Sequence, residues 1–204
     1  MRRVGLLLIV LLTSGCAWSS ESVAIHRQPV SAAAVPGATG VAVTVAVTDS
    51  RQEREVSHKK NGYGMRGANI MAQNDIAEEI RAGVRDILSA QGFRDGSDAT
   101  VRIDVSRFYN TFDMGFWSAT ANAQAIASLN VSSADGRSLY ARVYTVTHPV
   151  PNVQIMTGEN AGIALRAVMQ ALLQQIADDA ELSRALLQAY PPEADRRGRA
   201  RPTS

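Results

Sequence analysis

The period of apolar residues divides the chain into alternating strand and helix segments. Val41, Val43, Val45 and Val47 alternate strictly with Ala42, Thr44, Ala46 and Thr48. β-branched residues at a period of two predict a strand over Val41–Thr48, and its mild second face suits a central position. A polar, glycine-bearing loop is expected over residues 49–68. Asp75 and Glu78 then stand in capping-box spacing ahead of the stripe Ile76, Ile80, Val84, Ile87 and Leu88, which predicts a helix that stops at Gly92. Val101, Ile103 and Val105 mark a half-exposed strand. Ala119 to Val131 marks a long one whose odd positions are mostly alanine, a surface that lets a helix approach closely. Asp135-Gly136 is the strongest hairpin signal in the chain, and it leads into a fourth strand over Ser138–Thr147. Leu165, Val168, Leu172 and Ile176 line a long helix from about Asn160. A second capping pattern at Asp178 and Glu181 predicts a break and a short last helix before Pro191-Pro192.

This order, β-α-β-β-β-α, predicts an α+β two-layer sandwich, with a four-stranded mixed sheet and two main helices on one face. The crossover helix makes the first two strands parallel, and the remaining strands form an antiparallel meander. Residues 40–190 are the expected domain. Residues 191–204, with Arg196, Arg197, Arg199 and Arg201, are expected to be a disordered basic tail.

The N-terminus changes the picture. Met1-Arg2-Arg3 is followed by an uncharged run from Val4 to Leu12, and then by Thr13-Ser14-Gly15-Cys16. The run is too short to span a bilayer, which takes about 20 apolar residues. It reads as a signal-peptide core over residues 1–15. The site resembles the bacterial lipobox, with one departure: Thr13 holds the position usually given to Leu, and Leu12 lies one place early. The resemblance implies cleavage before Cys16 and acylation of its thiol with diacylglycerol, together with palmitate-type chains. It further implies the outer membrane, because Ala17 stands where an inner-membrane retention aspartate would be. Several acyl chains make such an anchor durable. Residues 16–39, rich in Ser, Ala, Val, Pro and Gly, are expected to be a flexible tether spanning about 25–30 Å.

Loss of Arg2 and Arg3 takes the formal charge from +2 to zero, which removes the field that would draw nucleic acid. Cys16 is the only cysteine, so acylation leaves none for a disulfide, a metal or a nucleophile.

One further set of residues carries a family resemblance. The lipobox, the Val41–Thr48 strand ending in Asp49-Ser50-Arg51, the pair Gly92-Phe93 closing a helix, and the strand–hairpin–helix half ending with Asn160 through Leu187 together resemble the YajG-like outer-membrane lipoproteins. The resemblance spans nearly the whole mature chain. It implies a periplasmic α+β domain and no known activity. The segment Glu55–Gly67 is richer in lysine and glycine than that pattern.

Candidate chemistry is sparse. Gly62-Tyr63-Gly64-Met65-Arg66-Gly67 fits a phosphate-cradle spacing, with Lys59 and Lys60 before it, but it follows no strand directly and reads as a polar loop. His26, His58 and His148 lack partners at helical spacing, so no metal or cofactor site is expected. Carboxylate pairs such as Glu78–Glu79 and Asp178–Asp179 sit at helix starts and read as caps. Asp49 and Arg51 can share one strand face and bridge. Phe108, Tyr109, Phe112, Phe116 and Trp117 concentrate the aromatics of a chain with only 5%, and burial at the sheet is the favoured reading. Tyr140, Arg142 and Tyr144 share one face of the fourth strand, and with the His148–Met156 loop they form the expected partner surface. The function expected is a non-enzymatic envelope module that binds a protein or glycan partner at the outer membrane. The alternative is a cell-wall or lipid-surface enzyme built on a carboxylate.

Overall fold

A computed structural model describes residues 19–61 and 63–189. In chain order the elements are β1 (Glu21–Val23), a 3-10 turn (Ala38–Gly40), β2 (Ala42–Asp49), β3 (Glu55–Lys60), β4 (Arg66–Ala72), α1 (Ile76–Gln91), β5 (Arg94–Asp95), β6 (Ala99–Met114), β7 (Ala119–Ser133), β8 (Ser138–Val153), α2 (Gly158–Ala177) and α3 (Ala180–Leu187). A five-stranded sheet runs β5-β2-β6-β7-β8, and a three-stranded sheet runs β1-β4-β3. The fold is α+β, but the expectation of a single four-stranded sheet is corrected to these two.

The central architecture follows from the sequence pattern. β2 pairs parallel with β6 from Val43↔Ala99 to Asp49↔Val105, as the helical crossover requires. β6, β7 and β8 form the antiparallel meander. All five stripe residues of α1 are buried. The Asp75 carboxylate caps the helix, accepting from the amides of Ala77 at 2.8 Å and Glu78 at 3.3 Å, and Gly92 closes it at φ +100°, a conformation that costs a residue without Cβ little. The alanine face of β7 is buried under the helical layer, where Ala121, Ala123, Ala125 and Ala127 are fully covered.

Two features depart from expectation. The loop expected at residues 49–68 holds the β3–β4 hairpin. Its strands lack an apolar alternation because buried polar residues stand at Glu55, Ser57 and Lys59. Register shifts between Glu55 and Ser57, and again between His58 and Lys60, break the period as well. The second departure is the tether. Glu21–Val23 form β1, pairing parallel with Ile70–Ala72. Ile25 and Ala38 are fully buried, Arg27 pairs with Asp86 at 2.7 Å, and the Val35 amide donates to the Gln91 carbonyl. Residues 21–39 are thus packed on the domain, which begins well before residue 40. A short strand and a few scattered apolar anchors suffice for this, and neither produces a periodic signal. Cys16, the expected signal segment over residues 1–15 and the expected tail over residues 191–204 lie outside the described residues.

Candidate functional site

The expected partner surface is the first place to look. β8 is an edge strand. Tyr140, Arg142 and Tyr144 pair with Val131, Leu129 and Ala127 of β7, so they stand on the helix-covered face. There all three converge on one carboxylate oxygen. Asp179 Oδ2 accepts from the Tyr140 hydroxyl at 2.7 Å, the Tyr144 hydroxyl at 2.6 Å and Arg142 Nη1 at 2.9 Å. Its Oδ1 accepts from the amides of Glu181 and Leu182 at 3.0 and 3.1 Å, which caps α3. The cap is therefore Asp179, one residue beyond the expected Asp178. The Asp179 side chain is 1% exposed. Burial pushes its carboxyl pKa up, but the Tyr144 and Tyr140 hydroxyls and the α3 amides outweigh that and hold it below the usual aspartate value. Burial and the same carboxylate push both tyrosine pKa values up. The three residues therefore clamp α3, with Tyr144 buried and Arg142 half exposed.

Asp49 and Arg51 do bridge. Arg51 Nε and Nη2 donate to Asp49 Oδ1 and Oδ2 at 2.8 and 2.7 Å, a bidentate pair, and Nη1 reaches the Phe108 carbonyl at 3.3 Å. Arg54 adds a second cation at Asp49. The hydrogen bond from Arg51 is the largest influence holding the Asp49 carboxyl below its ordinary pKa. The pair ties the end of β2 to β6.

Sequence reasoning missed one polar cluster at the β3–β4 hairpin. Glu55 Oε1 accepts from the Tyr109 hydroxyl at 3.2 Å and from Arg66, and His58 Nδ1 lies 2.6 Å from the same hydroxyl. Burial, then Glu55, push the Tyr109 pKa up to about 12. Burial, with Arg66 and Lys60 nearby, pushes that of His58 down. The adjacent cavity, about 270 Å³, is lined by Arg51, Glu53, Glu55, Arg107 and Tyr109 among others. Glu55 is thus a paired carboxylate in a polar cleft. No spacing rule could have joined residues fifty positions apart. His26 lies 2.9 Å from Glu79, and His148 is exposed on β8, so the three histidines stay apart. Among the described residues no group of three His, Cys, Asp or Glu side chains could hold a metal ion. The glycine-rich spacing falls at a hairpin turn, where the Tyr63 and Met65 amides donate to Asn61 Oδ1. No helix N-terminus follows it.

The aromatic cluster splits. Phe108 and Phe112 are fully buried, but Phe116 and Trp117, at the β6–β7 turn, are 89% and 86% exposed. Their rings pack edge to face at 4.8 Å. Burial was the expectation for all of them; it fails for Phe116 and Trp117, which lie in the turn beyond the last strand pair, Met114↔Ala119.

These features sit in a chain whose kinship is defined at the level of family. A family of proteins described as "uncharacterized lipoprotein" matches residues 29–187. The chain belongs to this lipoprotein family. The match bears out the resemblance to YajG-like lipoproteins. No curated protein sequence matches the chain. Among solved structures, the chain is similar to a minor lipoprotein from Acinetobacter baumannii at 10% identity and a TM-score of 0.43, covering 69% of this chain and 93% of that one. It is also similar to a candidate lipoprotein from Caulobacter crescentus at 12% identity and 0.42, covering 76% and 96%. A hypothetical protein from Chlamydia trachomatis aligns at 7% identity and 0.40, covering 81% and 96%. No helix among the described residues is long and apolar enough to cross a membrane.

Proposed function

We propose that this lipoprotein is a non-enzymatic binding module of the outer membrane, held by acylated Cys16 in the periplasm, and that it captures an envelope protein along β8. The observation that carries the reading is the β8 edge. It is a 16-residue strand at the end of its sheet, and no further strand among the described residues pairs with it. Such an edge offers a row of backbone donors and acceptors to another chain. Ala141, Val143 and Thr145 on its uncovered face are exposed, Val143 at 61%. Pro149 and Pro151 guard only its last third. An edge strand suits a polypeptide partner better than a glycan. The Asp49, Glu55 and Asp179 carboxylates, each engaged by donors within the chain, also favour binding over carboxylate catalysis.

Two measurements test this. Cys16→Ser should abolish incorporation of labelled fatty acid; a mutant that is still labelled and still fractionates with outer membrane removes the anchor. Photocrosslinkers at Ala141, Val143 and Thr145 in living cells should capture one partner, and Val143→Lys should abolish capture without moving the melting midpoint. Capture only from probes on the exposed face of α1 transfers the binding surface to that helix.

A further inference from the structure

The exposed large apolar side chains are not scattered. Eight are exposed among the described residues, and six of them, Tyr63, Met65, Met114, Phe116, Trp117 and Ile155, lie at one end of the domain. Topology places them together. Tyr63 and Met65 occupy the β3–β4 turn, while Met114, Phe116 and Trp117 surround the β6–β7 turn. A Cβ on Gly64 would lie 3.8 Å from Met114 Sδ, so the two turns touch. Ile155 follows Val153, which pairs with Ala119 at the same end of β7. Singly exposed apolar residues are ordinary, but a contiguous set marks an interaction surface.

β1 begins toward this same end. β1 runs parallel to β4, with Glu21 opposite Ile70, so the chain preceding Glu21 heads toward Arg66 and the β3–β4 turn. The Lys59 ammonium beside that turn holds Glu21 at 2.6 Å. Five residues lead from Cys16 to Glu21, at most about 17 Å of extended chain. Ile70 to Arg66 spans about 13 Å of strand. An acylated Cys16 thus reaches little beyond the apolar end, and the tether cannot hold the domain clear of the bilayer.

We infer that the apolar end formed by the β3–β4 and β6–β7 turns seats in the interfacial layer of the lipid membrane that holds Cys16. Trp and Tyr rings favour that layer, where an apolar body meets a wet polar edge, and Met and Phe extend the contact toward the acyl chains. The bilayer is chosen over a protein occupant because the five-residue lead brings it to this surface. The inference rests on the acylation of Cys16, and the test separates the two.

The chain has two tryptophans, so Trp18→Phe leaves Trp117 as the sole reporter. The acylated, full-length variant is reconstituted into phosphatidylcholine vesicles with or without bromine on the acyl chains. Flotation reads the anchor and Trp117 emission reads the end. The expected result is flotation, a blue-shifted Trp117 spectrum, loss of emission in brominated vesicles and protection from aqueous iodide. Adding Tyr63→Asp and Phe116→Asp should restore iodide quenching and remove the bromine effect while flotation persists. Flotation with Trp117 open to iodide and untouched by bromine overturns the inference and leaves the anchor standing. Trp117 shielded from both quenchers overturns it in favour of a second copy of this chain. A chain that cells leave without acyl groups at Cys16, and that therefore fails to float, overturns both.

Discussion

Replacing Asp179 with alanine removes the acceptor for five hydrogen bonds at once. Five donors converge on its carboxylate, two of them α3 amides and two of them tyrosine hydroxyls. Loss of the cap costs about 1 kcal/mol. The Tyr144 hydroxyl, in a residue 2% exposed, is then left without its acceptor, which costs a further 1–3 kcal/mol or so. Arg142 adds little because its side chain is half exposed and screened. Asp179→Ala should therefore lose about 2–4 kcal/mol in urea unfolding, a large share of typical domain stability. Tyr144→Phe should cost about 1 kcal/mol. The double variant should cost less than the sum, with a coupling of about 0.5–3 kcal/mol. A loss below about 1 kcal/mol for Asp179→Ala, or additive effects in the cycle, refutes the clamp.

The same carboxylate sets a pH dependence. Its folded pKa lies below the unfolded value, so its contribution is complete above the unfolded value of about 3.9 and is lost as pH falls through the folded value. Asp49, Glu21 and Glu79 shift in the same direction, so the wild type should weaken from several groups in acid. The difference between wild type and Asp179→Asn isolates one of them. It should be largest near neutral pH and shrink below about pH 4; a difference that grows on acidification contradicts the assignment.

Two further predictions concern packing. Ala123→Leu or Ala125→Leu should overpack the buried face of β7 and cost about 1–3 kcal/mol, whereas substitutions at the partly exposed Thr120 and Gln124 should shift the melting midpoint little. Equal shifts on both faces would place the helices elsewhere. A Cβ at Gly162 would lie 2.5 Å from Val23 Cγ2. Gly162→Ala should therefore destabilise despite alanine's helix propensity, by about 1–2 kcal/mol, and Val23→Ala should recover part of the loss; a Gly162→Ala variant more stable than wild type would show that β1 does not dock on α2.

The parts of the fold legible in the sequence are those where one period persists. β2, α1 and β7 each keep a single face in the core, so alternation or a helical stripe locates them directly. β6 shows how the signal fails. Its inward residues run Val101, Ile103 and Val105, then Phe108, Asn110 and Phe112. A register shift between Val105 and Arg107 moves the buried set from odd to even positions. A reader following one parity ends the strand early and sees loose aromatics beyond it. β3 fails for a related reason: its buried positions are polar and are satisfied by partners far away in sequence, such as Asn110 for Ser57.

The placement of the expected partner residues was hidden by a different limit. Tyr140, Arg142 and Tyr144 have the composition of a binding face, yet composition does not say which face a helix will cover. The capping carboxylate that claims them comes from α3, thirty-five or more residues later. Conversely, Phe116 and Trp117 have the composition of core. They stay outside because they stand in the turn beyond Met114↔Ala119, the last pair of β6 and β7. Exposure at a hairpin end depends on the difference in length between strands and the helical layer, and that difference is fixed only when bulge, register and packing are set together. The anchor adds the remaining constraint. An acyl chain on Cys16, five residues before β1, would make that tip the part of the domain nearest the bilayer, and the apolar residues concentrated there are the ones such a position would favour.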